Sequence, residues 1–464
     1  MTVKERVKGR RVGLVGMARS GVAAAKLAKH LGAIPFVSDV KPADQLKEQI
    51  HELKTFGIEF ETGGHTDRLL KADFVIVSPG IPQKTEIIQK IITAGIPIFS
   101  EIEFASWFCR GKIIAITGSN GKTTTTTLIG AVLDAAGFSN KVCGNIGYPF
   151  SDAVLDIPEN GYAVLEVSNF QLELIEEFKP DIALILNITP DHLDRYENFG
   201  GYKRAKYRIT ENQKKSDHLI LNADDPVIEK NNIDTNAQKI FFSTSRTMPA
   251  GVFQRGKSLV GNVRGVEQEI IEVDKIRIPG PHNLQNAAAT ALAALLAGVP
   301  PRPIAEALSQ FPGVEHRLED AGSIAGIKFI NDSKATNVDS VCYALRSFEA
   351  PIVLIAGGRD KGGDFEPITQ HGRGRIKEVI LLGEAGEKMF EALGKAFPAQ
   401  FADSMDDAVG KAFNSAAPGE IVMLSPACAS FDMYDNFEQR GRDFKRAVRE
   451  LNNNDHVTRG VESK

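Results

Sequence analysis

Seven consecutive residues, Thr117-Gly118-Ser119-Asn120-Gly121-Lys122-Thr123, carry the parts needed to hold a polyphosphate. A short apolar strand over 113–116 leads into them, and a helical pattern over 128–133 follows. In that context, backbone N–H groups of a glycine-rich turn and the positive end of the next helix converge on phosphate oxygens. Lys122 would reach the terminal phosphates and the Thr123 hydroxyl would face Mg²⁺. The loop is the short form G-x-x-G-K-T, with Ile116 where the longer pattern wants a small residue. A chance Gly-Lys-Thr at a helix start is the bland alternative; strand, loop and helix in register favour the phosphate reading.

Other polar residues collect at strand ends. Glu166 closes an apolar strand over 162–167, at the sheet edge where open α/β sheets bind ligands, and is read as a metal ligand. Ser168 and Gln171 follow it and are expected in the same crevice. The next strand, over 182–186, runs into Asn187-Ile188-Thr189-Pro190-Asp191-His192-Leu193-Asp194. His192 alone reads as a packing histidine, and beside a nucleotide and metal as a ligand, although Mg²⁺ prefers oxygen. Lys206 reads on composition as a solvated helix-face lysine. Asn283 and Asn286 sit three apart at the start of a helix expected over 284–297, either reading a nucleotide or capping the helix. Further polar clusters occupy 315–319, 331–337, 357–362 and 425–432, and together they call for a charged ligand.

These residues need scaffolds, and apolar strands alternating with helical patterns predict α/β domains with mostly parallel sheets. A first unit, 1–100, has a strand over 12–15, a turn over 16–21, a helix to Leu31, a strand ending at Asp39, and a strand over 74–77 running into Ser78-Pro79-Gly80. It is Rossmann-like, with Ala18 where the G-x-G-x-x-G fingerprint wants glycine, so it reads as a phosphate- or nucleotide-binding turn, or as a tight turn alone. A central unit spans 101–313. A third, 314–464, has strands over 352–355, 379–382 and 421–424, and a polar tail over 452–464 expected to fray.

A length of 464 residues fits three such domains. With 55 basic against 59 acidic residues the formal charge is −4, and 42% of residues are hydrophobic. That composition argues against disorder and against nucleic-acid binding through net positive charge. No run approaches the length of a membrane span. Cys109, Cys143, Cys342 and Cys428 are scattered without metal-binding spacing, which fits a reducing, cytoplasmic setting.

Taken together, 118–123, Glu166, 187–194, 282–286, His316-Arg317, 331–337 and 424–441 resemble the Mur ligase family, the ATP-dependent amide-forming enzymes of peptidoglycan precursor synthesis. Ser78-Pro79-Gly80, 331–337, 424–432 and 436–441 are similar to the D-glutamate-adding branch. The resemblance implies a Rossmann-like UDP-sugar domain, a central P-loop ATPase and a C-terminal dinucleotide-fold-like domain for the amino acid. It implies UDP-N-acetylmuramoyl-L-alanine at Arg19, Ser20, Asp39, Ser78, Gly80, Asn145, Ser168, Gln171 and His192. It implies ATP at Gly118, Ser119, Asn120, Gly121, Lys122, Thr123, Thr124, Asn283, Asn286, Arg317, Asp332 and Lys334, and D-glutamate at Thr336, Lys361, Ser430 and Phe437. Two Mg²⁺ ions are implied, one at Thr123 and Glu166, the other at His192 and a carbamylated Lys206. Lys122, His192, Lys206 and Lys334 would be catalytic, in a chain expected to act as a monomer. Two rivals remain at this point: a ligase of the folylpolyglutamate synthetase type, and a P-loop switch that performs no ligation.

Overall fold

A computed structural model describes residues 3–191, 195–196, 198–360 and 362–462. The strands form three sheets. The first contains β1 (Arg11–Val15), β2 (Ile34–Asp39), β3 (Glu59–Thr62), β4 (Phe74–Val77) and β5 (Ile98–Ser100), all parallel, in the order β3-β2-β1-β4-β5. Strand order reverses at the β1–β4 pair, where the carboxyl ends of a parallel sheet open a crevice.

The second sheet has β6 (Lys112–Thr117), β7 (Asn140–Gly144), β8 (Tyr162–Glu166), β9 (Ile182–Ile185), β10 (His218–Asn222) and β11 (Gln238–Ser243). It is extended by β12 (Gly251–Arg255), β13 (Ser258–Val263) and β14 (Val266–Glu272). The order β14-β13-β12-β11-β10-β9-β6-β8-β7 puts β6 at the point where chain direction across the sheet reverses. Strands β6 and β8 are buried at nearly every position, as a layer covered on both faces requires. The antiparallel meander β12–β14 was not expected; its short, half-exposed strands carry few of the apolar runs that mark buried ones.

The third sheet holds β15 (Glu319–Ile324), β16 (Ile327–Asn331), β17 (Ile352–Gly357), β18 (Ile376–Leu382), β19 (Ala399–Ala402) and β20 (Ile421–Ala427), ordered β15-β16-β20-β17-β18-β19. The tail expected to fray continues instead as the helix Phe437–Glu462, whose first half buries Phe444, Ala447 and Val448. The described residues divide into two compact units, one of 189–197, 276–284 and 311–464, the other of the remainder, which contains the first two sheets.

Within that larger unit, two buried acids on the helix Glu101–Ser106 join the first sheet to the second. Glu103 is fully buried, and its carboxylate accepts the N–H groups of Glu176 (2.9 Å), Glu177 (3.0 Å) and Phe178 (2.7 Å) and the Trp107 indole N–H (2.7 Å). Trp107 packs in turn among Phe74, Phe99, Phe104 and Phe108. Glu101 is less well served. One oxygen accepts the Ser151 N–H at 2.6 Å and the other has no hydrogen-bond partner. Burial therefore pushes its pKa up to about 7, against the opposing bonds from Ser151.

The folded chain thus binds the Glu101 proton more tightly than the unfolded chain. Its contribution to stability is complete below pH ~4.5 and is lost as pH rises through about 7. We expect the stability of wild type relative to Glu101→Gln to fall by about 3 kcal/mol between pH 4.5 and pH 8, as read by urea unfolding at each pH. A pH-independent difference would show that the carboxyl is not buried as described.

Candidate active site

The glycine-rich turn follows β6, and the helix after it, Lys122–Ala135, starts at the lysine itself, six residues before the apolar pattern makes it visible. Gly121 precedes it in the left-handed region (φ 84°), and a Cβ there would collide with Asn286 Oδ1, so any other residue would be strained and would have to displace that amide. The Asn286 oxygen also accepts from Thr125 Oγ1 at 3.3 Å. From the other side, Asn187 clamps the turn. Its Oδ1 accepts the Asn120 N–H at 2.8 Å, its Nδ2 donates to Asn120 O at 3.0 Å, and its own carbonyl accepts the Ser119 N–H at 3.0 Å. The N–H groups of Ser119 and Asn120 are thereby committed within the protein. A phosphate would therefore meet the helix start, whose first turn holds Lys122, Thr123 and Thr124. Lys122 Nζ donates to Gly118 O (2.8 Å) and Ser119 O (2.9 Å), arched over the same turn.

Lys206 is not the solvated lysine that composition suggests. It is 1% exposed, and its Nζ donates to Gly118 O at 2.8 Å. The helix Phe199–Tyr207 places it four residues after Tyr202, so both side chains share a face and Nζ lies 4.6 Å from the Tyr202 ring centre. The Tyr202 hydroxyl hydrogen-bonds Ser119 Oγ at 2.8 Å. Tyr202, which joins the turn to Lys206, is not among the residues that the sequence singles out; its i, i+4 spacing to Lys206 was the available signal.

Glu166 ends β8 directly beside Ile116 of β6 and is 2% exposed. One of its oxygens accepts from Asn145 Nδ2 at 2.9 Å, while the other, Oε2, is buried without a hydrogen-bond partner. A carboxylate oxygen left this way is costly unless a cation meets it. With the Thr123 hydroxyl on the first turn beyond β6, the pair is the oxygen donor set a Mg²⁺ ion takes, and the residues fit that ion.

The crevice of the first sheet is a cavity of about 860 Å³, and Arg19, Ser20, Asp39, Ser78 and Gly80 all line it. The family resemblance assigns these five residues, from three separate segments, to one ligand, and the fold brings them to one cavity. Asp39 accepts the N–H groups of Met17 (2.6 Å) and Lys41 (2.8 Å). Arg19 reaches Gly147 O at 3.3 Å, in the loop that also carries Asn145. Ser168 and Gln171 behave differently: they form a reciprocal cap on the short helix Asn169–Leu172, with Ser168 Oγ donating to Gln171 Oε1 at 3.0 Å.

In the smaller unit, Asp332 is 1% exposed, 3.6 Å from the Arg317 guanidinium, and accepts from Ser425 Oγ at 2.9 Å. Burial raises its pKa to about 6 despite these partners. Lys334 Nζ lies 4.8 Å from the centre of the Phe437 ring. Arg440 is 3% exposed and ties the segments together, donating to Ser333 O (2.9 Å), Cys428 O (3.1 Å) and Ala429 O (3.3 Å). Ser430 and Phe437 sit on the two chains it joins. No sequence signal distinguishes this buried arginine from a surface one. Thr336 lines a separate cavity of about 430 Å³ with Asp191, Asn337 and Asp360. Asn283 is not a cap, because its helix begins at Pro281; its amide donates to Pro279 O at 2.7 Å. His282 beside it is kept neutral by burial, its pKa lowered to about 3. His192, Asp194 and Lys361 lie outside the described residues.

Three family models cover most of the chain: a MurD N-terminal domain at 11–87, a Mur ligase middle domain at 116–294, and a Mur ligase glutamate ligase domain at 316–428. A protein of Thermoanaerobacter pseudethanolicus named UDP-N-acetylmuramoylalanine–D-glutamate ligase is 42% identical, over 96% of this chain and 99% of its own. One of the same name from Acidobacterium capsulatum is 44% identical, over 95% and 96%. Among solved structures, MurF from Acinetobacter baumannii superposes with a TM-score of 0.62 at 19% identity, covering 94% of this chain and 93% of that one, a likeness of fold. On phosphate turn, acidic strand end, three α/β sheets and full-length kinship alike, the chain belongs to the Mur ligase family.

Proposed function

We propose that this protein joins D-glutamate to the L-alanyl carboxyl of UDP-N-acetylmuramoyl-L-alanine at the expense of ATP. The reading rests on one juxtaposition: a phosphate-gripping helix start and a nucleotide-sized cavity in a single compact unit. Its kinship to chains named for this activity supports the choice of substrates.

A carboxylate resists an amine because its carbon is electron-rich and oxide leaves poorly. Moving the γ-phosphoryl group of ATP onto the carboxylate gives an acyl-phosphate with a good leaving group. The D-glutamate amine then attacks through a tetrahedral intermediate and expels phosphate. The first step brings two anions together, so neutralising charge dominates. Lys122 and the N–H groups at the helix start do this at the phosphates. Thr123 and Glu166 would hold Mg²⁺, which supplies further positive charge when bound.

Lys206, with His192, is the proposed holder of a second ion. Its neutral amine would add to CO₂, forming a nitrogen–carbon bond and releasing a proton, which turns a cation into an anionic oxygen ligand. Asn283, Asn286, Arg317, Asp332 and Lys334 complete the ATP site in this reading, and Thr336, Lys361, Ser430 and Phe437 take D-glutamate. The enzyme would work in the cytoplasm.

Phosphate release should require ATP, Mg²⁺, the UDP-linked acceptor and D-glutamate together, with L-glutamate or L-lysine giving none. ATP hydrolysis indifferent to the acceptor would overturn the assignment. Lys122→Ala should lose at least ~10²-fold in kcat through loss of a major charge-stabilising contact, and near-normal turnover would remove it from the chemistry. Lys206→Ala should be inactive yet partly rescued by millimolar formate or acetate. Absence of rescue, together with an unmodified Lys206 by mass spectrometry of the native enzyme, would dispose of the carbamate.

A further inference from the structure

One wall of the 860 Å³ cavity carries a polar assembly whose central residue, His65, has been given no role so far. His65 follows Gly63 and Gly64, whose φ values of 78° and 151° turn the chain back on itself. Their N–H groups donate to Lys41 O (2.9 Å) and Asp39 O (3.3 Å), clamping this loop to the end of β2. His65 and Asp39 therefore share a wall of the cavity.

The hydrogen bonds behind His65 fix its tautomer. Ring Nδ1 lies 2.7 Å from Ser38 Oγ, and Ser38 is fully buried. The single hydroxyl proton of Ser38 is directed to Glu61 Oε1 at 2.6 Å. Glu61 also accepts the N–H (2.9 Å) and hydroxyl (2.6 Å) of Thr66. Burial alone would raise the Glu61 carboxyl, but these bonds outweigh it and hold it below its ordinary range, so it stays an anionic acceptor. A hydroxyl whose proton is committed can only accept from the ring, so Nδ1 carries the hydrogen. Burial lowers the imidazole pKa, against the fields of Glu61 and Asp39, and the ring is neutral at pH 7. Its other nitrogen, Nε2, is then a bare acceptor.

We infer that His65 is a specificity-determining residue that presents Nε2 to a hydrogen-bond donor of the bound uridine nucleotide, the base imide N–H or a ribose hydroxyl. The inference rests on the UDP-sugar reading of this cavity. With Asp39 on the same wall, the protein offers two acceptors where a nucleoside must supply donors. Cytosine has a lone pair in place of the imide hydrogen, and a deoxyribose lacks one hydroxyl. Either change leaves an acceptor unpaired, which is how a polar site rejects a near-isostere.

The test is calorimetry on the full-length protein with UDP, CDP and 2′-deoxy-UDP, alongside melting curves. Wild type should prefer UDP at least tenfold over one of the two analogues, which identifies the donor. His65→Leu should weaken UDP about tenfold, erase that preference and raise KM for the UDP-sugar while leaving KM for ATP in place. His65→Gln, with an amide oxygen as acceptor, should recover most of the affinity. Equal losses for UDP and both analogues, or UDP affinity within twofold of wild type in both variants, would overturn the inference. Should the leucine variant not fold, Ser38→Ala replaces it: release of the tautomer should cost UDP about threefold and spare whichever analogue lacks the donor, and no change would likewise overturn it. Wild type that takes up no UDP at all would sink the reading of the cavity itself, a failure distinguishable from that of His65.

Discussion

Three hydrogen bonds from Asn187 hold the turn between β6 and its helix, and the central site depends on them. A glycine-rich segment has more conformations to lose than any other, so a phosphate would otherwise have to order it on arrival. Asn187 removes that cost in advance, and it is itself held: Asn222 Nδ2 donates to Leu186 O at 3.0 Å, and Asp225 accepts the Ile188 N–H at 3.0 Å. Both come from the end of the neighbouring strand β10. The rigid sheet therefore reaches the mobile chemistry through side-chain amides and a carboxylate, and Asn286 closes the fourth side against Gly121.

Charge is the second theme. Glu166, Asp332, Lys206 and Arg440 are each at most 3% exposed, an arrangement that a fold tolerates only where each charge has a purpose or a set of partners. Glu103 shows the structural version, with four donors gathered on one carboxylate. Glu166 differs, with one oxygen left without a hydrogen-bond partner, the one that the proposed Mg²⁺ would meet.

Much of this was legible in the chain. Strands over 74–77 and 113–116 announce themselves because buried parallel strands are continuous apolar runs, and the Gly-Lys-Thr turn because it stands in register between a strand and a helix. The five residues that the family resemblance assigns to one ligand all line the cavity of the first sheet. What stayed hidden depends on contacts between distant segments. Lys206 and Arg440 look like any surface cation until the fold buries them, and the reciprocal cap that Ser168 and Gln171 form shows only once their helix is seen. His65 gave one faint signal, two glycines before a histidine, which means little without knowing that β2 lies alongside.

Arg440 has a broader implication for how such a protein can tolerate substitution. One guanidinium fastens the backbone at Ser333, Cys428 and Ala429, so the stretches bearing Ser430 and Phe437 move, if at all, as one piece. A substitution at Ser430 or Phe437 thus swaps a side chain on a fixed frame, whereas loss of the arginine would release the frame itself.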